Sequence, residues 1–464
     1  MRIPPTPPDH IQVLTDLFQK QAKAGRTELE KFAAGMSSAR PTDERGRYLH
    51  WDEVRFREPP FGLDLKTYWA LTRRAREFAG RAFTIFADTQ GRPFTYTPVA
   101  SMERALHEID SAARGSVGSA DASPGDPEAR RFLVNSLVEE PFNSSLLEGA
   151  ATTRDQAKKL IQQGRKPRNH GERMVLNNFQ AIEFIKAHKR ERLTPAIVHE
   201  VHRLITLGTL GDASQAGRLR NSMESINVVD DSTGEILHRP PAAAQLEARL
   251  SALCDFANQS SDADPFLHPV LKAIVLHFML AYDHPYTDGN GRTARALFYW
   301  SVLRDDYWLL EYVSISKIIN QAPVQYYKSF LYTETDSGDL TYFILHQLEM
   351  VQRSLSALND YIETKKGEIA DLSQLLSAGD VRGALNHRQL ALIHHAIRTL
   401  VATYTIDSHL RTHGVSYLTA RADLEGLYKL KLLSKRKLGT TSIYRPAPGL
   451  RAGVEELASI AERA

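Results

Sequence analysis

A glycine-rich stretch from His284 to Arg295, HPYTDGNGRTAR, most constrains how this chain can fold. It lies between two apolar segments of helical periodicity, at about Leu267 to Tyr282 and Gly291 to Leu303. The pattern predicts two helices joined by a tight turn. A glycine-rich turn that opens a helix exposes backbone N–H groups at the positive end of the helix dipole, which favours phosphate binding.

The side chains of this stretch predict chemistry as well as a turn. Arg292 and Arg295 are three residues apart and share one helix face. Asp288 offers a hard oxygen ligand where Mg²⁺ would bridge phosphates. His284 is the residue type that accepts a proton near neutral pH. Any one of these features fits a plain helix–helix turn, but their combination favours a catalytic loop.

The stretch resembles the HPFxDGNGRxxR motif of the Fic family, with Tyr286 in place of the phenylalanine. The resemblance extends from about Pro141 to Phe343 and implies a mainly α fold, with a helical-bundle core and a β-hairpin flap. It also implies transfer of AMP from ATP to a protein hydroxyl.

The resemblance assigns a role to each residue of the motif. His284 would be the base, Asp288 would hold Mg²⁺, and Arg295 would fix the γ-phosphate of ATP. The remaining phosphate oxygens would be held by Gly289, Asn290, Gly291 and Arg292.

The segment Asn143 to Gly149, NSSLLEG, resembles the inhibitory motif of the family, (S/T)xxxE(G/N), through Ser144, Glu148 and Gly149. A glutamate presented to Arg295 would form a bidentate ion pair with it. Arg295 could then no longer hold the γ-phosphate, so the resting enzyme would be slow. The alternative is an ordinary surface carboxylate at Glu148.

A hairpin is predicted from Ser225 to Val229 and from Glu235 to His238, around the turn-forming residues DDSTG. By resemblance it is the flap (225–239), whose edge would pair with the backbone of the target protein. It could instead be only a brace. Further candidates for the nucleotide site are Ile236, Leu237, His238, Tyr326 and Tyr327, of which the tyrosines fit a core aromatic pair nearly as well.

The pattern along the chain predicts four regions. Residues 1–125 are mostly helical, 126–345 form the core with the inhibitory helix at about 139–150, 346–385 are a helical connector, and 386–450 resemble a winged helix. The last region has a basic cluster that suits DNA phosphates, although winged helices also bind proteins. The cluster consists of Lys429, Lys431, Lys435, Arg436 and Lys437.

Composition sets limits on the function. The chain has 464 residues, 42% of them hydrophobic and 24% charged, and its net charge of +3 does not by itself indicate nucleic acid. The most apolar run, Ala273 to Tyr282, is too short to span a bilayer, and the N-terminus lacks a signal-peptide core. We therefore expect a cytoplasmic protein without a membrane partner. No sequence pattern tests the candidate homodimer.

Three functions fit these residues. The first is adenylyl transfer from ATP, with Mg²⁺, to a Ser, Thr or Tyr hydroxyl of another protein or of the chain itself. The second is removal of AMP from modified proteins, with Glu148 orienting a water; a different donor, such as phosphocholine, is a related variant. The third is a DNA-binding regulator whose Fic core senses nucleotide.

Overall fold

The computed structural model of the chain describes residues 2–21, 26–114, 134–230, 233–260, 263–377, 385–398, 402–438 and 441–461. These residues are mainly helical. They divide into two compact units, one within Met1–Ser116 and Asn135–Ala357 and the other within Val117–Val134 and Leu358–Ala464. In the described ranges, no helix combines the length and the apolar character that a bilayer crossing requires.

The N-terminal region contributes helices and one hairpin to the first unit. Its elements are α1 (His10–Gln21), α2 (Arg26–Ser38), α3 (Trp51–Val54), α4 (Leu65–Ala79), β1 (Arg81–Ala87), β2 (Pro93–Tyr96) and α5 (Ala100–Ala113). The strands β1 and β2 pair antiparallel as a hairpin. It is joined to the core by a parallel bridge between Thr95 and Asp339. The N-terminal region and the core thus share one unit.

The core of the first unit is a set of packed helices with a small hairpin. Its elements are α6 (Glu139–Leu147), α7 (Arg154–Gln163), α8 (His170–Ala187), α9 (Pro195–Thr206), β3 (Val228–Val229), β4 (Ile236–His238), α10 (Leu246–Asn258), α11 (Pro269–Asp283), α12 (Asn290–Arg304), α13 (Ile315–Ile319) and α14 (Pro323–Thr335). The helices α11 and α12 lie at its centre, and most of their side chains are buried.

The turn between α11 and α12 forms where the sequence allows left-handed backbone. His284, with φ of 46°, ends α11, and Gly289, with φ of 80°, precedes α12. The glycine has no Cβ to oppose this conformation, and a Cβ there would lie 2.8 Å from the Thr206 side chain. The predicted pair of helices and their tight turn are therefore present.

The predicted inhibitory helix and flap are both shorter in the structure than in the sequence pattern. A 3₁₀ turn at Val134–Val138 precedes α6, which ends at Leu147, so Glu148 is the C-cap residue rather than part of a helix to Ala150. The part of the prediction before residue 134 lies outside the described residues. The strands β3 and β4 pair antiparallel over only a few residues, because the register shifts between Val228 and Val229.

The second unit contains helices and a three-stranded sheet. After the long helix α15 (Thr341–Ser377), which spans much of the predicted connector, its elements are α16 (His387–Arg398), β5 (Tyr404–Thr405), α17 (Ile406–His413), α18 (Tyr417–Lys429), β6 (Leu433–Leu438), β7 (Thr441–Pro446) and α19 (Leu450–Ala461). The strand order is β5-β7-β6. The strands β6 and β7 pair antiparallel, and residues 439 and 440 between them lie outside the described residues. Buried leucines, Tyr444 and Val454 form the core of this unit.

Candidate active site

His284 is held at the end of α11 as a neutral base. Its backbone N–H donates to Leu280 O at 3.1 Å. Its ring Nδ1 lies 3.3 Å from Ala281 O, so Nδ1 carries the proton and Nε2 is left as an acceptor. Burial lowers the pKa of His284 to about 4. The ring is therefore uncharged at neutral pH and able to accept a proton.

Arg220 fixes the backbone around His284. Its Nε donates to His284 O at 2.9 Å, its Nη2 to Pro241 O at 2.5 Å, and its backbone N–H to Pro285 O at 2.9 Å. It joins the turn around His284 to the chain that follows the hairpin. Sequence reasoning assigned no role to Arg220, because no local pattern marks an arginine that binds distant carbonyl groups.

Asn290 makes a contact within the turn that the sequence did not predict. Its side-chain Oδ1 accepts from Tyr286 N at 2.9 Å, and its Nδ2 donates to Tyr286 O at 2.8 Å. Both ends of the amide thus bind the backbone of Tyr286, and the side chain braces the loop. The backbone N–H groups at the start of α12 have no intrahelical partner by helix geometry, and they remain suited to bind an anion.

The tyrosine that replaces the family's phenylalanine has its own partners. The Tyr286 ring is fully buried and stacks on His202, with ring centroids 3.7 Å apart. Its hydroxyl shares a hydrogen bond of 3.0 Å with His199 Nδ1. His202 in turn donates from Nε2 to Asp288 O at 2.9 Å. Two histidines of α9 therefore hold the turn in place, and sequence reasoning assigned neither.

We expect Tyr286→Phe to lower the free energy of unfolding by about 1 kcal/mol, because His199 would lose a buried hydrogen-bond partner. Urea unfolding measures the change. The control is the same substitution in a His199→Ala background, where the loss should be much smaller because the partner is already absent. Equal losses in both backgrounds would show that the hydroxyl contact contributes nothing.

Asp288 and Arg292 fit the groups that a nucleotide and its metal would need. The Asp288 side chain is 57% exposed, and its Oδ2 lies 3.6 Å from Arg292 Nη2. Arg292 Nη1 donates to Ile205 O at 3.3 Å, whereas its buried Nε has no partner among the described residues. An exposed carboxylate beside an unpaired guanidinium N–H is suited to Mg²⁺-bound phosphate. Across the described ranges, no cluster of three or more His, Cys, Asp or Glu side chains could bind a metal by itself.

Glu148 contacts Arg295, as the sequence predicted. Arg295 Nη2 donates to Glu148 Oε1 at 2.8 Å. The same arginine donates to Ser144 twice, from Nε to the hydroxyl at 2.8 Å and from Nη2 to the carbonyl at 3.0 Å. Although burial disfavours the charge, the carboxylate outweighs it and the pKa of Arg295 is raised. The contact is thus single with Glu148 and double with Ser144, rather than the bidentate carboxylate pair of the prediction.

The Glu148 carboxylate lies directly over the start of α12. A Cβ built on Gly291 would be only 2.2 Å from Glu148 Oε1 and 3.1 Å from Arg295 Nη1. The carboxylate oxygen therefore occupies the place where an anion would approach the N-terminus of the helix. Glycine at position 291 leaves room for this approach, whether by Glu148 or by a phosphate.

A second glutamate of α6 docks that helix on the core. The buried Glu140 carboxylate accepts from the Ser314 hydroxyl at 2.8 Å, the Ser316 hydroxyl at 2.6 Å and Ser316 N at 3.1 Å. Burial raises the pKa of Glu140, although these donors oppose the shift. Asn320 Nδ2 also donates to Asn143 O at 2.8 Å. The position of Glu148 therefore depends on contacts that the inhibitory motif does not contain.

A cavity of about 590 Å³ joins these elements. Its polar end is formed by Glu148, Gly291 and Arg295, with His284 in the wall. Hairpin residues Val228, Val229, Asp230, Leu237 and His238 form another wall, and α14 contributes Val324, Tyr326, Tyr327, Phe330, Leu331 and Glu334. The lining thus includes a charged part, which contains Arg295, and an apolar, aromatic part on α14.

The predicted nucleotide-site residues are distributed unevenly around this cavity. Leu237, His238, Tyr326 and Tyr327 line it, whereas Ile236 is not among its lining residues. The Tyr326 hydroxyl is 3.0 Å from His277 Nε2, beneath the cavity wall. His277 is a buried histidine of the core, and its Nδ1 has no hydrogen-bond partner within the described part of the chain.

Comparisons with known proteins bear on this arrangement. Residues 192–302 match the model of the Fic/DOC family. A "Protein adenylyltransferase Fic" of Nematostella vectensis is 31% identical over 183 residues, which are 37% of this chain and 39% of that protein. The protein of the same name in Culex quinquefasciatus is 23% identical over 272 residues, 57% of this chain and 49% of that protein. The chain therefore spans less than half the length of these relatives.

The fold also resembles a solved structure. A Fic family protein from Desulfovibrio desulfuricans G20 aligns with a TM-score of 0.50 and 18% identity, over 76% of this chain and 98% of that one. The prediction of a mainly α, Fic-type core is confirmed. The family match includes His284 and Arg295 but ends before Tyr326 and begins after Glu148.

Proposed function

We propose that this chain, which carries a Fic domain, transfers AMP from ATP to a hydroxyl group of a protein. One observation carries the proposal: His284, neutral and with Nε2 unprotonated, lines the same cavity as Gly291 at the start of α12 and Arg295. A base and an anion-binding helix terminus in one cavity are the two parts that phosphoryl chemistry on a hydroxyl needs. The named relatives point to the same reaction.

The reaction follows from where the groups lie. The adenine of ATP would occupy the aromatic end of the cavity, and the phosphates would lie over the N-terminus of α12. His284 Nε2 would accept the proton of the target hydroxyl, whose oxygen attacks the α-phosphorus as the bond to pyrophosphate breaks. Backbone N–H groups of α12 and Arg292 would stabilise the charge on the phosphate oxygens. Mg²⁺, held by Asp288 and phosphate oxygens, would supply further charge neutralisation.

The proposal includes autoinhibition by Glu148. Arg295 would be needed to hold the γ-phosphate, and in this structure its Nη2 donates to Glu148. The carboxylate also covers Gly291, where phosphate oxygens would bind. ATP would bind in a productive pose only when Glu148 moves away. The same residues would serve removal of AMP if Glu148 oriented a water, and the assay below distinguishes that reaction.

Protein targets would bind along the flap, with the hydroxyl directed to His284. Such pairing reads the target's backbone rather than its sequence. The chain itself is one candidate target, a homodimer one candidate assembly, and the cytoplasm the expected compartment.

The experiment is label transfer with two forms of ATP and Mg²⁺, using the purified Glu148→Gly chain with and without cell lysate. Label on the α-phosphate should appear on protein, whereas label on the γ-phosphate should appear only in pyrophosphate. Transfer of the γ-label would indicate phosphorylation and would contradict the proposal. Release of AMP from pre-labelled protein, without incorporation of label, would favour AMP removal instead.

We predict that Glu140→Gln raises transfer about tenfold, equivalent to about 1.4 kcal/mol of weaker docking of α6. A glutamine offers one acceptor where the carboxylate now accepts from Ser314 and Ser316. The matched control is Glu139→Gln, because that neighbouring carboxylate pairs with Arg154 instead. Glu140→Gln should not raise the transfer rate further in a Glu148→Gly background, since the inhibitory carboxylate is already absent. An unchanged rate in Glu140→Gln would refute the docking role.

A DNA-binding role is a second candidate because basic side chains are exposed on the second unit. Lys429, Lys431, Arg436 and Lys437 are exposed, whereas Lys435 is paired with Glu425, which removes it from the predicted cluster of free cations. A gel shift at low and high salt, with Arg436→Ala and Lys437→Ala together, tests the idea. Binding that weakens in this variant would support it, and no binding by the wild type at low salt would exclude it.

A further inference from the structure

His238 makes contacts that only its charged form can satisfy together. It is the last residue of β4 and is 8% exposed. Its Nδ1 lies 2.7 Å from Glu334 Oε2, and its Nε2 lies 2.7 Å from Tyr282 O. Both partners are acceptors, a carboxylate and a backbone carbonyl. A neutral imidazole carries one N–H, so donation to both requires the imidazolium.

These two hydrogen bonds of His238, together called the His238 tie, connect three walls of the cavity. His238 belongs to the flap, Glu334 to α14, and Tyr282 to the end of α11, two residues before His284. All three residues line the cavity, as does Leu237, the flap residue next to His238. The His238 and Tyr282 rings are also in contact, with centroids 4.7 Å apart. The flap is therefore fastened to the helix that carries the catalytic base and to the helix of the aromatic end.

The charges around His238 favour its protonation. Glu334 faces it from α14, and Asp283 acts on it from α11, where Asp283 itself pairs with Arg249 of α10. The neighbouring basic groups are Arg220, a cation that donates to His284 O, and His284, which is neutral near pH 7. Burial by itself would lower the pKa of His238, but the Glu334 and Tyr282 contacts outweigh it and the pKa is raised.

We infer that protonated His238 is a positioning residue that fastens the flap to the cavity. A target hydroxyl is presented to His284 only while both hydrogen bonds of the His238 tie are formed. This inference rests on the proposed transfer and adds a pH limit to it. Loss of the proton leaves Glu334 or Tyr282 O without a donor, which frees β4. Target binding then weakens as pH rises through the pKa of His238. The contribution of His238 to folding stability depends on pH in the same direction. It is fully present below the ordinary pKa of histidine, and it is lost as pH rises through the raised pKa of His238 in the folded chain.

The test combines a titration that does not depend on activity with a pH profile of transfer. NMR follows the His238 ring and the exchange of the flap amides, corrected for intrinsic rates, in the full chain. Transfer is measured in a Glu148→Gly background. The variants are Glu334→Gln, which keeps shape but removes charge, and His238→Gln, which cannot titrate. The control is Glu77→Gln. This substitution also removes a carboxylate partner of a histidine, His10, but neither residue lines the cavity.

We expect His238 to titrate above ordinary histidines and Glu334→Gln to lower its pKa by about one unit or more. Flap exchange should rise through the same pH range in the wild type but not in His238→Gln. The KM for the target should rise about tenfold as pH increases through this range, while kcat changes less. In Glu334→Gln the rise should begin at lower pH, and in His238→Gln it should disappear.

The inference would be overturned if His238 titrated with the ordinary pKa of histidine. It would also be overturned if the exchange rate of the flap amides did not change as His238 lost its proton. If no variant transfers label, the proposed function fails, yet the titration and exchange still decide whether the tie controls the flap. A rise in KM with pH that persists unchanged in both variants would also contradict the tie, because another group would then be responsible.

Discussion

Replacing Glu148 with glycine should raise label transfer from ATP by about 10- to 100-fold. The estimate converts the 1.5–3 kcal/mol of about one hydrogen bond to a charged group into a rate at about 1.4 kcal/mol per tenfold. The substitution removes one of the two acceptors of Arg295 Nη2 and clears the space over Gly291. It leaves the Ser144 contacts that hold the arginine in place. Initial rates at saturating ATP measure the effect.

Two further variants show whether activation comes from losing the Glu148 charge or from a more flexible α6. Glu148→Gln keeps the length of the side chain but weakens the contact, so it should give an intermediate rate. Glu139→Gln lies on the same helix and loses a pairing with Arg154, so its rate should stay near that of the wild type. If Glu139→Gln activated the enzyme as strongly as Glu148→Gly, general loosening of α6 would be the cause and the Arg295 contact would not be inhibitory.

Replacing His284 with alanine in the Glu148→Gly chain should lower transfer by about 10²–10⁴-fold, the usual contribution of a general base. Affinity for ATP should change little, because His284 lies in the wall beside the phosphate end and the α12 N-terminus is unaltered. Calorimetric ATP binding and single-turnover transfer separate the two effects. The control is His170→Ala, an exposed histidine outside the cavity lining.

The acidic side of the pH profile gives a second check on His284. Its pKa is about 4 because the ring is buried, and only the neutral ring accepts a proton. Transfer should therefore stay level on the acidic side down to about pH 5, and fall only as His284 is protonated. A base of ordinary pKa would instead give a falling limb near pH 6.5. Such a limb would show that the resting structure does not represent the reacting state of this residue.

The sequence predicted local features of the site well. The helix–turn–helix around Gly289 depends on residues close together in the chain. The contact between Glu148 and Arg295 followed from a motif of matching residue types. The two partners have complementary charge. The contact is single rather than bidentate, because the guanidinium also donates to Ser144.

The contacts that the sequence did not predict join residues far apart in the chain. Glu140 meets Ser316, Arg220 meets the carbonyl of His284, and His238 meets Glu334. Each pairs a common polar residue with a partner whose position depends on how the helices pack. No periodicity or spacing marks such a pair. The side-chain clamp of Asn290 on the Tyr286 backbone was also not predicted, because the sequence does not show which backbone groups a turn brings within reach of an amide.

The measurement that tests the central claim most directly is transfer of α-phosphate label by four chains: wild type, Glu148→Gly, His284→Ala and the double variant. The claim is that Glu148 restrains a transfer for which His284 is the base. It predicts a low signal in the wild type, a strong increase in Glu148→Gly, and loss of that increase in the double variant. Label that persists in the double variant at the level of Glu148→Gly would contradict the account, because the gated chemistry would then not pass through His284.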